Sequence, residues 1–140
     1  MMIGELTGLP GLTVPQIPEE IQPAWYAMPL TYQFTDHPTG APIEHVLAAL
    51  HAEGVSEIDR PGSIRPPNEH PLFTNPSALF PELPRWPRYR AGQFPQAVSL
   101  HRATLKVPVP HDDSALASEY TSAISKVLNH PDLHRRDANQ

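Results

Sequence analysis

Apolar side chains fall into short patterned runs along this chain, separated by prolines. The clearest run is Ile43, Val46, Leu47 and Leu50, whose i, i+3, i+4, i+7 spacing lines one face of an α-helix. Pro42 suits the first turn of that helix and Gly54 the position just past its end. A second stripe, Leu116, Tyr120, Ile124, Val127 and Leu128, predicts a helix over 114–130 that Pro131 stops. "FPQAVSLHRAT" (94–104) predicts a shorter helix with Phe94, Ala97, Val98 and His101 on one side.

Three segments read as strands. "AWYAMPLTYQF" (24–34) is rich in aromatic residues, and its Pro29 points to an edge or a bulge. In "LKVPVP" (105–110), Leu105, Val107 and Val109 alternate. "VSEIDR" (55–60) is the third candidate and would close a strand–helix–strand unit. Residues 1–23, broken by Gly and Pro every few positions, read as an extended lead-in rather than a helix. "DHPTGAP" (36–42) is a turn by its Asp, Pro and Gly content. From 61 to 95 prolines recur and no hydrophobic period survives. A stretch of that length without regular structure is expected to be functional or disordered, and Phe73, Phe80, Trp86 and Tyr89 favour a loop packed onto something. Residues 131–140 read as a frayed tail. The fold expected for 24–130 is a small α/β (α+β) sandwich, a three-stranded sheet with helices packed on one face.

Composition narrows the function classes. Proline accounts for 19 of 140 residues, far above the usual ~5%. A net charge of −5 and a pI near 5.8 argue against a nucleic-acid surface, which needs clustered Lys and Arg. The absence of cysteine removes disulfides, thiolate zinc sites and a Cys nucleophile together. It agrees with a cytoplasmic location. No apolar run approaches the ~20 residues of a membrane span, and the N-terminus lacks a signal-peptide pattern. The expectation is a soluble protein without nucleic-acid or membrane partners.

Candidate chemistry centres on "PPNEHPLF" (66–73), where an amide, a carboxylate and an imidazole stand between prolines. Such a loop is stiff enough to present Asn68 and His70 to a substrate; a Pro-braced loop that satisfies its own backbone is the other reading. "RWPRYR" (85–90) sets Arg85 and Arg88 beside Trp and Tyr, a strip fit to bind an anion or stack on a sugar ring, or to form a solvated loop face. "HDD" (111–113) offers an imidazole and two carboxylates, but helix capping by Asp112, Asp113 or Ser114 outweighs metal binding there. His45 and His51 stand nearly opposite each other on one helix, and Pro131 separates His130 from His134, so neither pair predicts a metal site. No G-x-S-x-G, P-loop or dinucleotide fingerprint is present.

Six segments in order, "GLPGLTVPQIP", "AWYAMPLTYQF", "GAPIEHVLAALHAEGV", "PPNEHPLF", "FPQAVSLHRATLKVPVP" and "AISKV", resemble the C-terminal small domain of the DegT/StrS-type aminotransferases. The resemblance runs from about Thr7 to His130. "HPLF" and "FPQAVSLH" are most similar to the aminocyclitol and antibiotic-sugar branch. It implies a fold-type-I, pyridoxal-phosphate-dependent enzyme acting on keto sugars and inosose rings. In that family a large domain carries the Schiff-base lysine and the phosphate-binding groups, the small domain closes one side of the cleft, and two subunits share each active site. The large domain is absent from this chain. Neither Lys106 nor Lys126 stands in the family's lysine context.

Carried over residue by residue, the resemblance gives Asn68 and His70 substrate-orienting roles. Asn68 falls where many members carry His, which keeps a hydrogen-bonding group and removes a titratable one. No catalytic, cofactor-binding or metal residue is expected. The implied function is a detached C-terminal domain that supplies the substrate-side wall and is inactive alone, with pyridoxal phosphate held only in a completed enzyme. Its partner would be a lysine-bearing large domain or a full-length aminotransferase subunit, or another copy of itself. The alternatives are a non-catalytic binding or regulatory subunit docking on a full-length aminotransferase, and an independent small-molecule-binding domain.

Overall fold

A computed structural model describes residues 2–36, 40–62, 65–82, 89–90 and 92–131. The elements run α1 (Met2–Leu6), β1 (Leu12–Thr13), β2 (Ala27–Tyr32), α2 (Ile43–Ala52), α3 (Pro71–Thr74), α4 (Pro76–Leu79), α5 (Pro95–Ala103), β3 (Thr104–Pro108) and α6 (Ser114–Leu128). Single 3₁₀ turns lie at Phe34–Asp36 and Pro67–Glu69. The chain divides into two compact units, Met1–Arg60 with Ala103–Gln140, and Pro61–Arg102.

The first unit is built on an antiparallel sheet of order β1-β2-β3. Leu30 pairs with Leu105 and Met28 with Val107, so the alternation of β2 and β3 aligns on one face. Met28, Leu30, Tyr32, Leu105 and Val107 are buried, while Pro29 on the other face is exposed. Their apolar face joins Val46, Leu47 and Leu50 of α2 and Tyr120, Ile124, Val127 and Leu128 of α6 in one core. A mixed helix-and-strand fold with a small three-stranded sheet and helices was the expectation, and that much holds. The helix stripes predicted for α2 and α6 are the buried faces observed. Gly54, at φ +93°, takes the left-handed backbone that ends α2.

Two of the expected elements differ. The opening residues are not uniformly extended: Met2–Leu6 forms a helix whose Leu6 is fully buried in the core. Glu5 accepts a hydrogen bond from the hydroxyl of Thr121 at 2.6 Å, tying α1 to α6. The third strand comes from Leu12–Thr13, not from residues 55–60, where only Asp59 forms a bridge, to Lys106. The reason is spacing. Val55 and Ile58 are both buried although they stand three apart, which a strand of period two cannot arrange. The segment instead turns, with Val55 donating to Leu50 and Ile58 to Val55.

Pro29 sits in the central strand without breaking a ladder. Lys106, its partner on β3, directs its own amide and carbonyl outward to Asp59, so this is a non-hydrogen-bonded pair between β2 and β3. The nitrogen of Pro29 therefore faces the β1 side. Pairing there covers only Leu12↔Tyr32 and Thr13↔Thr31, and continuing the register would set Pro15 opposite Pro29. Neither proline has an N–H to give, so β1 stops at two residues.

The second unit, Pro61–Arg102, holds the short helices α3 and α4 and most of α5. Each short piece opens on a proline: Pro67 in the 3₁₀ turn, Pro71 in α3, Pro76 in α4 and Pro95 in α5. Proline is at home in a first helical turn, where its missing N–H has no partner to lose. The residue before it is pushed to extended backbone, as at His70 (φ −78°, ψ 137°). Between residues 66 and 80, the region read from sequence as one long loop is thus a series of proline-started turns, each stopping short of the next proline. Of the four residues expected on one side of α5, Val98 is buried and His101 half-buried, but Ala97 and Phe94 are exposed. Trp86 and the tail beyond residue 131 lie outside the described residues.

Candidate substrate-facing loop

Residues 66–73 form a rigid corner in the Pro61–Arg102 unit. Pro66 is buried, the 3₁₀ turn closes with His70 donating its amide to the carbonyl of Pro67 at 3.0 Å, and α3 follows at once. The imidazole of His70 caps that helix: its Nδ1 accepts from the amide of Leu72 at 3.2 Å. An accepting Nδ1 carries no proton, so in the capped state the ring is neutral with its hydrogen on Nε2. His70 is exposed, and Nε2–H is the atom it can offer outward.

Asn68 points the other way. It is 5% exposed, and its side-chain nitrogen donates to the carbonyl of Arg90 at 3.4 Å, a long and weak bond. The same carbonyl accepts the amide of Gln93 at 3.1 Å, and Gln93 Oε1 accepts the amide of Arg90 at 3.1 Å. Beside this polar tie runs an aromatic one. Phe73 meets Tyr89 edge to face, with ring centroids 6.2 Å apart, and Tyr89 in turn lies 6.3 Å from Phe94. The corner is therefore stapled to residues 89–94 on both a polar and an apolar side.

Of the residues picked from sequence, the structure brings Asn68 and His70 into this corner but aims them differently, one inward and one to solvent. Arg85 and Arg88 lie outside the described residues. The partners sequence reasoning missed are the Arg90 carbonyl, Gln93 and the ring of Phe94. The aromatic spacing of Phe73, Tyr89 and Phe94 was their only trace. In "HDD", Asp113 accepts from the amide of Leu116 at 2.9 Å and is the N-cap of α6. Among the described residues no group of three or more His, Asp or Glu is placed to hold a metal ion.

Lys126 is exposed on α6 with its ammonium paired to Glu53. Lys106 lies in β3 on the sheet face opposite the core, in register with Pro29. No protein-family model matches the chain, and no curated protein matches it.

Proposed function

We propose that this chain is the C-terminal small domain of a pyridoxal-phosphate-dependent aminotransferase acting on keto sugars or inosose-type cyclitols. It supplies a substrate-side wall to a cleft whose cofactor lysine stands in a separate large domain. The observation that carries this reading is the ordered resemblance of six segments between about Thr7 and His130. A small three-stranded antiparallel sheet with helices is compatible with it. So is a stiff corner that leaves Nε2 of His70 exposed as a donor for a sugar oxygen. Asn68 acts from behind, holding the corner to Arg90, and offers a ligand at most its Oδ1.

Co-expression with the lysine-bearing large domain of a DegT/StrS-type aminotransferase tests the proposal. The expected result is co-purification, pyridoxal phosphate retained by the pair, and transamination of a keto sugar or inosose by the pair only. In that pair His70→Ala slows turnover roughly ten- to a hundredfold without loss of assembly, as removal of one orienting hydrogen bond of about 1–3 kcal/mol would. Failure to co-purify with any such domain, together with no gain of turnover, overturns the reading. The exposed Leu79, Phe94 and Leu100 of the Pro61–Arg102 unit favour a second reading, a regulatory subunit docking on a full-length aminotransferase. Binding to the intact enzyme, with turnover changed and no new site created, distinguishes it.

A further inference from the structure

In the sheet-bearing unit, the first turn of α1, Met28 of β2, residues beside β2 and β3, and the start of α6 line an open hollow of about 340 Å³. Its origin is legible in the sequence. The opening of α6, "SALAS", presents small side chains, and Ser114 and Ala117 line the space without filling it. Met28, only 1% exposed, forms part of the floor, and the half-buried Met2, Ile3 and Trp25 stand around it. Val109, Pro110 and two exposed polar residues, His111 and Ser114, complete the lining.

The chemistry of those two groups is specific. His111 Nε2 lies 2.9 Å from the carbonyl oxygen of Trp25, and a carbonyl only accepts, so Nε2 carries the hydrogen. In the neutral ring Nδ1 is then a bare acceptor. Asp112 and Asp113 stand in the chain between the two polar lining residues, and the protein carries a net charge of −5, so an anion is disfavoured. A guest with a hydroxyl can donate to Nδ1, a contact that a wholly apolar guest cannot make. At about 340 Å³ the hollow is at the small end for ligand sites, which suits a single ring.

We propose that this hollow binds a neutral, ring-sized molecule of the phenol class, its ring against Trp25, Met28 and Ala117 and its hydroxyl donated to Nδ1 of His111. The site belongs to the sheet unit alone and does not depend on the aminotransferase reading. Trp86→Phe leaves Trp25 as the sole tryptophan of the two in the chain, so its fluorescence reports the hollow. Phenol quenches it saturably with a Kd on the order of a millimolar, as a ligand of few atoms would. Toluene binds several-fold more weakly, and benzoate does not saturate. His111→Phe lowers phenol affinity roughly tenfold, the loss of one hydrogen bond, and leaves toluene unchanged. Ala117→Leu narrows the hollow and weakens both. Should that variant fail to fold, amide shifts of the unmodified chain decide: phenol must perturb Ile3, His111, Ser114 and Ala117. Unsaturable phenol quenching, benzoate binding as tightly as phenol, or shifts confined to other residues would each overturn the site.

Discussion

The two units keep their shape by different means. Among the described residues, every member of the connected apolar core lies in Met1–Arg60 or Ala103–Gln140, and the buried Val98 of Pro61–Arg102 is not one of its members. The first unit is held as most small domains are, by apolar side chains withdrawn from water on a matched sheet and helix face. In the second unit, four prolines open successive turns, one imidazole caps a helix, and one amide and three rings fasten residues 66–73 to 89–94. Proline lowers the entropy of the unfolded chain, so such a segment reaches one conformation with little buried area. Its side chains remain at the surface, where a partner or a ligand can meet them. A proline-rich region without a hydrophobic period is therefore not evidence against order.

The contrast is broken most forcefully by truncating the core. Leu30 and Leu105 face each other across the sheet and are fully buried. Leu30→Ala or Leu105→Ala should cost about 2–5 kcal/mol, read from the midpoint of urea denaturation. Phe73→Ala in the other unit should cost only about 1 kcal/mol, since it removes one edge-to-face contact of a half-buried ring. Equal losses at the two sites would mean that the units share one core.

Alkaline pH should act on the sheet unit through two buried phenols. Tyr32 is buried and donates its hydroxyl to the carbonyl of Ala41 at 2.7 Å, and burial pushes its ionisation up to about 12 from 10.0. Burial, with Glu57 and Glu119 adding to it, moves Tyr120 in the same direction. Both phenols are held neutral in the fold and ionise more readily once unfolded. Their contribution is thus complete below about pH 10 and is lost as pH rises toward 12. Tyr32→Phe should cost about 1–2 kcal/mol at neutral pH, because the Ala41 carbonyl loses its donor, and should flatten the alkaline fall. Urea titrations between pH 8 and 11.5 follow both effects. An alkaline fall of unchanged steepness in the variant would assign the effect to other groups.

Helix caps sharpen the comparison at smaller cost. Asp113→Ala removes the cap of the fifteen-residue α6, whose buried face forms part of the core, and should lower global stability by about 1 kcal/mol. Denaturation midpoints of Asp113→Ala and Asp113→Asn read this directly, the asparagine variant keeping most of the stability.

What was legible in the sequence follows the same division. Val46, Leu47 and Leu50, and Tyr120, Ile124, Val127 and Leu128, are separated by helical periods, and each set is one buried face. Leu105 and Val107 alternate and are buried together. Periods of 3.6 and 2 are local, so one sequence carries them. β1 was not legible because two residues make no period and its register depends on Pro15 and Pro29, which stand far apart in the chain. The proline-led turns escaped because proline was weighed as a breaker, although Pro67, Pro71 and Pro76 each stand in a first turn. In the candidate site the residue types of Asn68 and His70 were readable, but not their directions. Asn68 binds a carbonyl 22 positions away, a separation that no pattern encodes.

The smallest expected effect separates a brace from a presented side chain within residues 66–73. Asn68→Ala removes the donor to the Arg90 carbonyl, which still accepts the amide of Gln93, so global stability should fall by well under about 1 kcal/mol. Locally the change should be visible. With the polar tie gone, the Phe73–Tyr89–Phe94 rings are what is left among the described residues to fasten the corner to Arg90 and its neighbours, and hydrogen exchange of the Glu69, His70 and Phe73 amides should quicken severalfold. His70→Ala acts at the other end. It removes the acceptor for the Leu72 amide from a four-residue helix, costs about 0.5 kcal/mol, and should speed exchange at Leu72, Phe73 and Thr74 but not at Gln93. His70→Asn should restore much of that protection, because asparagine also caps. If Asn68→Ala leaves exchange in residues 66–75 and 89–94 unchanged, the polar tie contributes nothing and the rings alone fasten the corner. If His70→Ala instead quickens exchange at Gln93 as well, the cap and the staple are one cooperative unit. The exposed imidazole could then not be altered without moving Asn68, and the loss of turnover expected of the reconstituted pair would have to be read against the asparagine variant, which keeps the cap.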